Sequence, residues 1–422
     1  MTCGADSGAI AADRSVTSIW RDRACAPPVA AYLHIPFCRR RCFYCDFAVS
    51  VIGDRKNGSN SQAVQTYVDL LCREIAATPS RGRSLKTVFF GGGTPSLLTA
   101  AQIVRILETL ERQFGIASGA EISIEIDPGT FDLAKLSAIA AAGVNRISLG
   151  IQTFDDRILQ AIGRSHTADE IDTALEILAA SAIDNFSIDL MAGLPHQTAE
   201  DWDATLDRAL EISPQHLAYY DLIVEPGTVF DRYYEPGTAP LPSEAATAEM
   251  FCHAVDRLVA AGYHHYEIGS YARPGRECRH NLTYWHNRPY YGFGQGATSY
   301  VGGQRVSRPR KRQDYGDWLA AFCDRDGVSN AEAIAPIDLA LESVMLKFRT
   351  SAGLDRGLLR SEILALTGGP AWERVEAVLA RYEKSGAIAV VGDRVRLTDP
   401  EGFLLSNSVL SDLFNAIEGE DP

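Results

Sequence analysis

Short β-prone runs of apolar residues alternate along the chain with longer stretches whose apolar positions recur at helical spacing, beginning at residue 31. The runs at 31–35 (AYLHI), 86–90 (KTVFF), 121–126 (EISIEI), 145–151 (NRISLGI), 184–190 (DNFSIDL) and 216–222 (HLAYYDL) predict six strands. Helices are predicted between them at 62–77, 99–114, 132–142, 155–162, 167–181 and 198–211. Strand, helix and parallel strand, repeated in this way, require a parallel sheet covered by helices. The pattern does not choose between an open sheet and a closed barrel.

Beyond residue 225 the texture changes. Residues 225–245 carry six Pro or Gly, a helix follows near 246–262, and an aromatic-rich stretch runs to Tyr300. From Pro336 the pattern reads helix, helix, helix and then AIAVVGDRVRLT, in which Gly392-Asp393 sits like a hairpin turn between two β-prone arms. This predicts a small winged-helix-like domain. Residues 337–422 hold nine basic and fourteen acidic side chains, the wrong sign for a surface that tracks phosphates.

Composition narrows the class. With 46% hydrophobic and 22% charged residues over 422 positions, the chain is not of the disordered type, and no apolar run approaches the ~18 residues that cross a bilayer. Forty basic against 54 acidic residues give −14, so nucleic acid is not the expected partner and any anion site must be local. Nine cysteines, three of them within eight residues, do not resemble a secreted disulfide framework. Residues 1–29 lack the apolar core of a signal peptide and read as a loose leader. The expected location is cytoplasmic, without a transmembrane anchor.

The sharpest chemical signal is Cys38-Arg-Arg-Arg-Cys42-Phe-Tyr-Cys45, directly after the first strand. Three buried core thiols, or a zinc site completed by a distant fourth ligand, would also account for three cysteines. Pure cysteine is an unusual core stripe, however, and Arg39, Arg40 and Arg41 are expected to favour thiolates. The pattern points to an iron–sulfur cluster. A four-iron cluster normally takes four cysteines, so three leave one iron open to an exogenous ligand.

Other strand ends carry polar groups as well. Gly91-Gly92-Gly93-Thr94-Pro95 follows the second strand, where glycines let backbone N–H groups approach a ligand, and Glu125, Asp127, Gln152, Arg164 and Asp189 follow at later strand ends. Singly, each reads as a cap or a turn residue. Together they lie on the carboxyl edge of the sheet, where parallel α/β architectures bind ligands.

These residues resemble a family. The Cys38-x3-Cys42-x2-Cys45 loop is similar to that of the radical S-adenosylmethionine (SAM) superfamily, which implies a partial (β/α)6 barrel with SAM on the open iron. YLHIPFC at 32–38, GGGTP at 91–95, SLGIQTF at 148–154, IGRSH at 162–166, DLMAGLP at 189–195 and GFGQGATS at 292–299 resemble the oxygen-independent coproporphyrinogen III oxidase family, within it closest to the heme chaperones called HemW. The implied division is a leader at 1–29, a partial barrel at 30–225, a family-specific extension at 226–335 and the winged-helix-like domain at 336–422. The resemblance implies that Cys38, Cys42 and Cys45 ligate a 4Fe–4S cluster, and that Tyr32, Tyr44, Gly92, Gly93, Thr94, Glu125, Gln152, Arg164 and Asp189 contact SAM. One departure stands out: the family usually reads Glu-Ala-Asn-Pro where this chain reads Glu125-Ile126-Asp127-Pro128.

Within the family, the oxidases carry a further cysteine two positions after the third, whereas position 47 here is Phe. His280-Asn281-Leu282-Thr283-Tyr284-Trp285 matches an HNxxYW motif associated with heme, which makes His280 the candidate heme ligand, with Cys278 and His286 as rivals. Arg305, Arg308, Arg310, Lys311 and Arg312 are candidate partners for heme propionates. The resemblance therefore implies a heme chaperone that binds heme, a 4Fe–4S cluster and exchangeable SAM and serves an acceptor such as a respiratory enzyme. The alternative is an oxygen-independent coproporphyrinogen III oxidase of heme biosynthesis, for which an electron donor is obligatory.

Overall fold

The computed structural model describes residues 25–328 and 331–419. Most of the leader, residues 1–24, lies outside them. The chain forms two compact units, one of Pro27–Tyr284 with Arg288–Glu332, the other built mainly from Ala333 onward and including Trp285–Asn287.

The first unit is an α/β partial barrel. Its six core strands are β1 (Ala30–Ile35), β2 (Leu85–Gly92), β3 (Ile116–Ile126), β4 (Arg146–Gln152), β5 (Phe186–Ala192) and β6 (His216–Asp221). They pair in parallel in sequence order. Helices α1 (Gln62–Ala77), α2 (Ala100–Phe114), α3 (Leu133–Ala141), α4 (Asp156–Ala161), α5 (Ala168–Ala179) and α6 (Ala199–Ile212) connect them. Their starts are fixed locally. Thr99, Thr167 and Thr198 each close a capping box with the residue three positions on, which satisfies N–H groups that the first helical turn leaves open.

Three further strands extend this sheet. β7 (His264–Glu267) and β8 (Ser270–Ala272) add antiparallel beyond β6, and β9 (Tyr291–Phe293) adds in parallel beside β1, giving the order β9-β1-β2-β3-β4-β5-β6-β8-β7. The segment after residue 225 thus supplies strands to both edges of the sheet.

Alternation within the strands decides what the barrel encloses. Ile122, Ile124, Ile126, Ile147, Leu149, Ile151, Ile188 and Leu190 form one buried apolar face. The opposite face carries Glu121, Ser123, Glu125, Asp127, Arg146, Ser148, Ser187, Asp189 and His216. These polar groups meet across strands: Ser148 Oγ donates to Asp189 Oδ1 at 2.9 Å, and Ser187 Oγ lies 2.8 Å from His216 Nδ1. The interior is polar and the apolar face is left for the helices.

The second unit has the three helices and the hairpin in the predicted order, with a short unpredicted strand after the first helix. Helix Pro336–Phe348, strand Leu354–Asp355, helices Arg356–Thr367 and Gly369–Ser385, and a hairpin of Ile388–Val391 with Arg394–Leu397 follow one another. Gly392 takes φ +60° at the hairpin turn, a conformation that suits glycine. This is a winged-helix-like arrangement, followed by helix Ser406–Glu418. No helix among the described residues is long and apolar enough to cross a membrane.

Candidate functional site

The loop after β1 brings Cys38, Cys42 and Cys45 onto the wall of one cavity of about 140 Å³, together with Tyr44, Gly92, Gly93, Thr94, Asp127 and Arg164. All three thiols are free. The loop is held by its backbone: Phe43 N donates to Ile162 O at 3.0 Å, Gly93 N to Ile35 O at 2.8 Å and Thr94 N to Phe37 O at 2.7 Å. Gly92 sits at φ +113°, where a Cβ would lie 2.6 Å from the His34 ring. A Cβ on Gly93 would meet Phe37 O at 2.7 Å and Cys38 Sγ at 3.0 Å. The glycines are needed for this close approach.

The electrostatics correct one expectation. Burial pushes the Cys38 thiol up to about 12, with Asp127 adding to the rise, and burial also raises Cys45. Arg41 works against the rise at Cys45 without reversing it, and each neighbouring guanidinium is bound to another group. Arg39 donates to Gly129 O at 2.7 Å, Arg40 pairs with Asp54 at 2.8 Å, and Arg41 donates to Phe47 O. A metal that takes these sulfurs as thiolates therefore displaces protons from them.

Arg164 organises the opposite wall. Its Nη2 pairs with Asp127 Oδ1 at 2.5 Å and donates to Gly150 O at 2.9 Å, while its Nη1 points at Cys42 Sγ from 3.5 Å. Thr94 Oγ1 donates to the other Asp127 oxygen at 2.9 Å. Arg164 Nε is buried without a partner. Gln152, at φ +72° after a bulge in β4, brings its amide to the same point: a Cβ on Gly150 would lie 2.9 Å from Asp127 Oδ1, 3.2 Å from Gln152 Nε2 and 3.3 Å from Arg164 Nη2. A non-glycine residue at positive φ is strained by about 1 kcal/mol and persists where its surroundings impose it.

Glu125 and Asp189 lie within the barrel interior. Glu125 Oε2 accepts from Gly92 N at 3.0 Å, and burial, reinforced by Asp189, raises its carboxyl to about 8. Burial raises Asp189 to about 6 against the opposing hydrogen bond from Ser148. Two carboxyls held this way favour a proton or a cationic ligand group between them.

Tyr32 stands apart from the thiols. It lines a second cavity of about 440 Å³ with His34, Asp46, Phe47, Ala48, Tyr284, Tyr290 and Arg310 among its walls. Phe47 belongs to both cavities. Arg310 is bound to the Asp46 backbone carbonyl, and His34 Nε2 lies 3.2 Å from Ala48 O, so the chain just after Cys45 forms the partition.

The HNxxYW motif reaches this second cavity through Tyr284. His280 itself is fully buried behind it, stacked on Phe89 at 5.1 Å, with Nδ1 2.9 Å from Thr87 Oγ1 and Nε2 2.8 Å from Tyr284 OH. Burial lowers it to about 3. In this arrangement both ring nitrogens are engaged. Cys278 is also buried, and burial pushes its thiol up to about 12. Of the basic run, Arg308 is correspondingly buried, its Nε paired with Glu74 Oε1 at 2.7 Å, which removes it from the candidate propionate partners. Arg310 remains at the cavity wall. His34, Phe47 and Tyr290 were not anticipated from the sequence; His34 alone carried a signal, standing two residues from Tyr32 and so on the same strand face.

The donor set fits the cofactors that the resemblance implies. No three His, Cys, Asp or Glu side chains among the described residues converge on a single-ion site. A polynuclear cluster takes each thiolate on a different iron and does not require such convergence. The unpartnered Nε of Arg164 and the glycine wall suit the carboxylate of a zwitterion.

Comparison with known proteins identifies the family. Residues 32–209 match the Radical SAM superfamily and residues 334–405 the HemN C-terminal domain. The heme chaperone HemW of Synechocystis sp. is 45% identical over 405 residues, covering 93% of this chain and 97% of the relative. That of Bacillus subtilis is 35% identical, covering 93% and 99%. The solved coproporphyrinogen III oxidase HemN of Escherichia coli superposes with a TM-score of 0.76 over 94% of this chain and 92% of that one, at 24% identity, a likeness of fold. A match to the Radical SAM superfamily, a HemN C-terminal domain and identities of 45% and 35% over nearly the full length of those chaperones place the chain in the HemW family.

Proposed function

We propose that this protein is a cytoplasmic heme chaperone: it takes up heme and delivers it to an acceptor protein such as a respiratory enzyme. Cys38, Cys42 and Cys45 hold a 4Fe–4S cluster, and Tyr44, Gly92, Gly93, Thr94, Glu125, Gln152, Arg164 and Asp189 form the seat of an exchangeable SAM, while Tyr32, in the second cavity, is assigned to the cargo instead. The cluster, when bound, supplies one-electron chemistry and an open iron. Around it, Arg164 offers charge to a carboxylate, the glycine loop offers close backbone approach, and Glu125 and Asp189 offer acceptors to an amine or a ribose.

The observation that carries the reading is the aromatic cavity beside the thiol cavity, with Phe47 common to both. Tyr32, Tyr284 and Tyr290 provide faces for a planar macrocycle, and Arg310 a cation for a propionate. His280 serves this site by holding Tyr284 at the wall. The name shared by the relatives supports the same cargo.

The test is spectroscopic. Anaerobically reconstituted protein should develop a Soret band that saturates near about one equivalent of heme, and His280→Ala should weaken it. No retained heme and no spectral change would overturn the proposal. With SAM, reductant and coproporphyrinogen III, no carbon dioxide should form, whereas turnover would move the protein to the oxidase reading.

A further inference from the structure

We infer that Asp127 is a positioning residue that, acting through Arg164, sets the charge felt at the Cys42 sulfur and so the ease with which a cluster held there accepts an electron. The inference rests on the cluster reading above. Three contacts define the device. Asp127 grips Arg164 at 2.5 Å, Arg164 Nη1 lies 3.5 Å from Cys42 Sγ, and Gly150 O fixes the guanidinium from a third side at 2.9 Å. The two side chains are 20% and 9% exposed, so water screens them little. Thr94 Oγ1 on the second carboxylate oxygen keeps Asp127 from rotating away.

Hydrogen bonds and positive charge directed at cluster sulfurs make reduction easier. Arg164 alone would do so. Asp127 offsets part of that charge while holding the guanidinium in place, so the cluster is harder to reduce than it would be beside an unpaired arginine. Asparagine is nearly isosteric with aspartate and lacks its charge. The side chain at 127 thus separates the placement of Arg164 from its net charge.

Potentiometry on the reconstituted full-length protein, with dithionite passing one electron to the cluster and EPR reading the reduced fraction, tests this. Asp127→Asn should move the midpoint to more positive potential, Asp127→Glu should hold it near the wild-type value, and Arg164→Gln should move it negative. In the Arg164→Gln background, Asp127→Asn should shift it less than in the wild type, because the residue through which it acts is gone. A loaded cluster with unmoved potential in Asp127→Asn, or in Arg164→Gln should the first variant take up no iron, overturns the inference alone. Absence of iron and sulfide from the unsubstituted protein overturns the cluster reading and the inference with it.

Discussion

The two ends of the barrel bury similar groups to different ends. At the amino-terminal end, Glu121 accepts the N–H groups of Arg279 and His280 at 3.1 and 2.9 Å, His216 lies between Ser187 and Tyr266 at 2.8 Å each, and Arg146 donates to Asn185 and to Arg276 O. Ser123 Oγ excepted, these polar groups are met. At the carboxyl end, Arg39 Nε, Arg164 Nε and His166 Nδ1 are buried without partners, and burial holds two of the three loop thiols above their ordinary range. A buried polar group costs little when its partners are supplied and about 1–3 kcal/mol when they are not. The floor is therefore a polar core that holds strands together, whereas the rim keeps buried polar groups without partners of their own.

The contrast can be broken in stages. Replacing Cys38, Cys42 or Cys45 with Ala should abolish the broad visible absorbance of the reconstituted protein entirely, and an intact spectrum would remove the rim from its proposed role. Glu121→Ala should act oppositely: it strips the acceptor from one buried and one part-buried N–H group and should lower stability by roughly 3 kcal/mol in urea unfolding, with iron content unchanged.

A subtler effect concerns pH. Glu125 is raised to about 8 in the folded chain against an ordinary 4.5. The folded state thus binds its proton more tightly than the unfolded one, so its contribution is complete below about pH 4.5 and declines as pH rises toward 8, by up to about 1.4 kcal/mol per unit. Glu125→Gln should flatten that part of the stability curve of the cluster-free protein, and an unchanged slope would place the titrating group elsewhere. The smallest effect belongs to the exposed Arg40–Asp54 pair: Arg40→Ala should leave the unfolding midpoint in place.

Much of this architecture is legible in the sequence. Helix starts were readable because Thr99, Thr167 and Thr198 cap them locally, and the six core strands lie close to their predicted positions. The edge strand β9 was not, since three residues carry too little pattern and their partner lies some 260 positions away in β1. The cysteine loop declared itself by spacing. The upward shift of the Cys38 and Cys45 thiols did not, because adjacent arginines in sequence say nothing of which groups their guanidiniums bind, and burial outweighed them. His280 was visible as a motif, yet only packing reveals that Tyr284 presents the motif to the cavity while His280 stands behind it. The aromatic cavity draws walls from segments near residues 32, 47, 284, 290 and 310, a convergence that the sequence order does not display. Arg308, grouped with Arg310 by proximity in sequence, belongs instead to the buried pair with Glu74.

The account depends most on what the thiol loop carries. Iron and acid-labile sulfide measured on protein prepared without air should approach about four of each per chain, as three cysteines on a four-iron cluster require. A single zinc with no sulfide, or no metal at all, would contradict it.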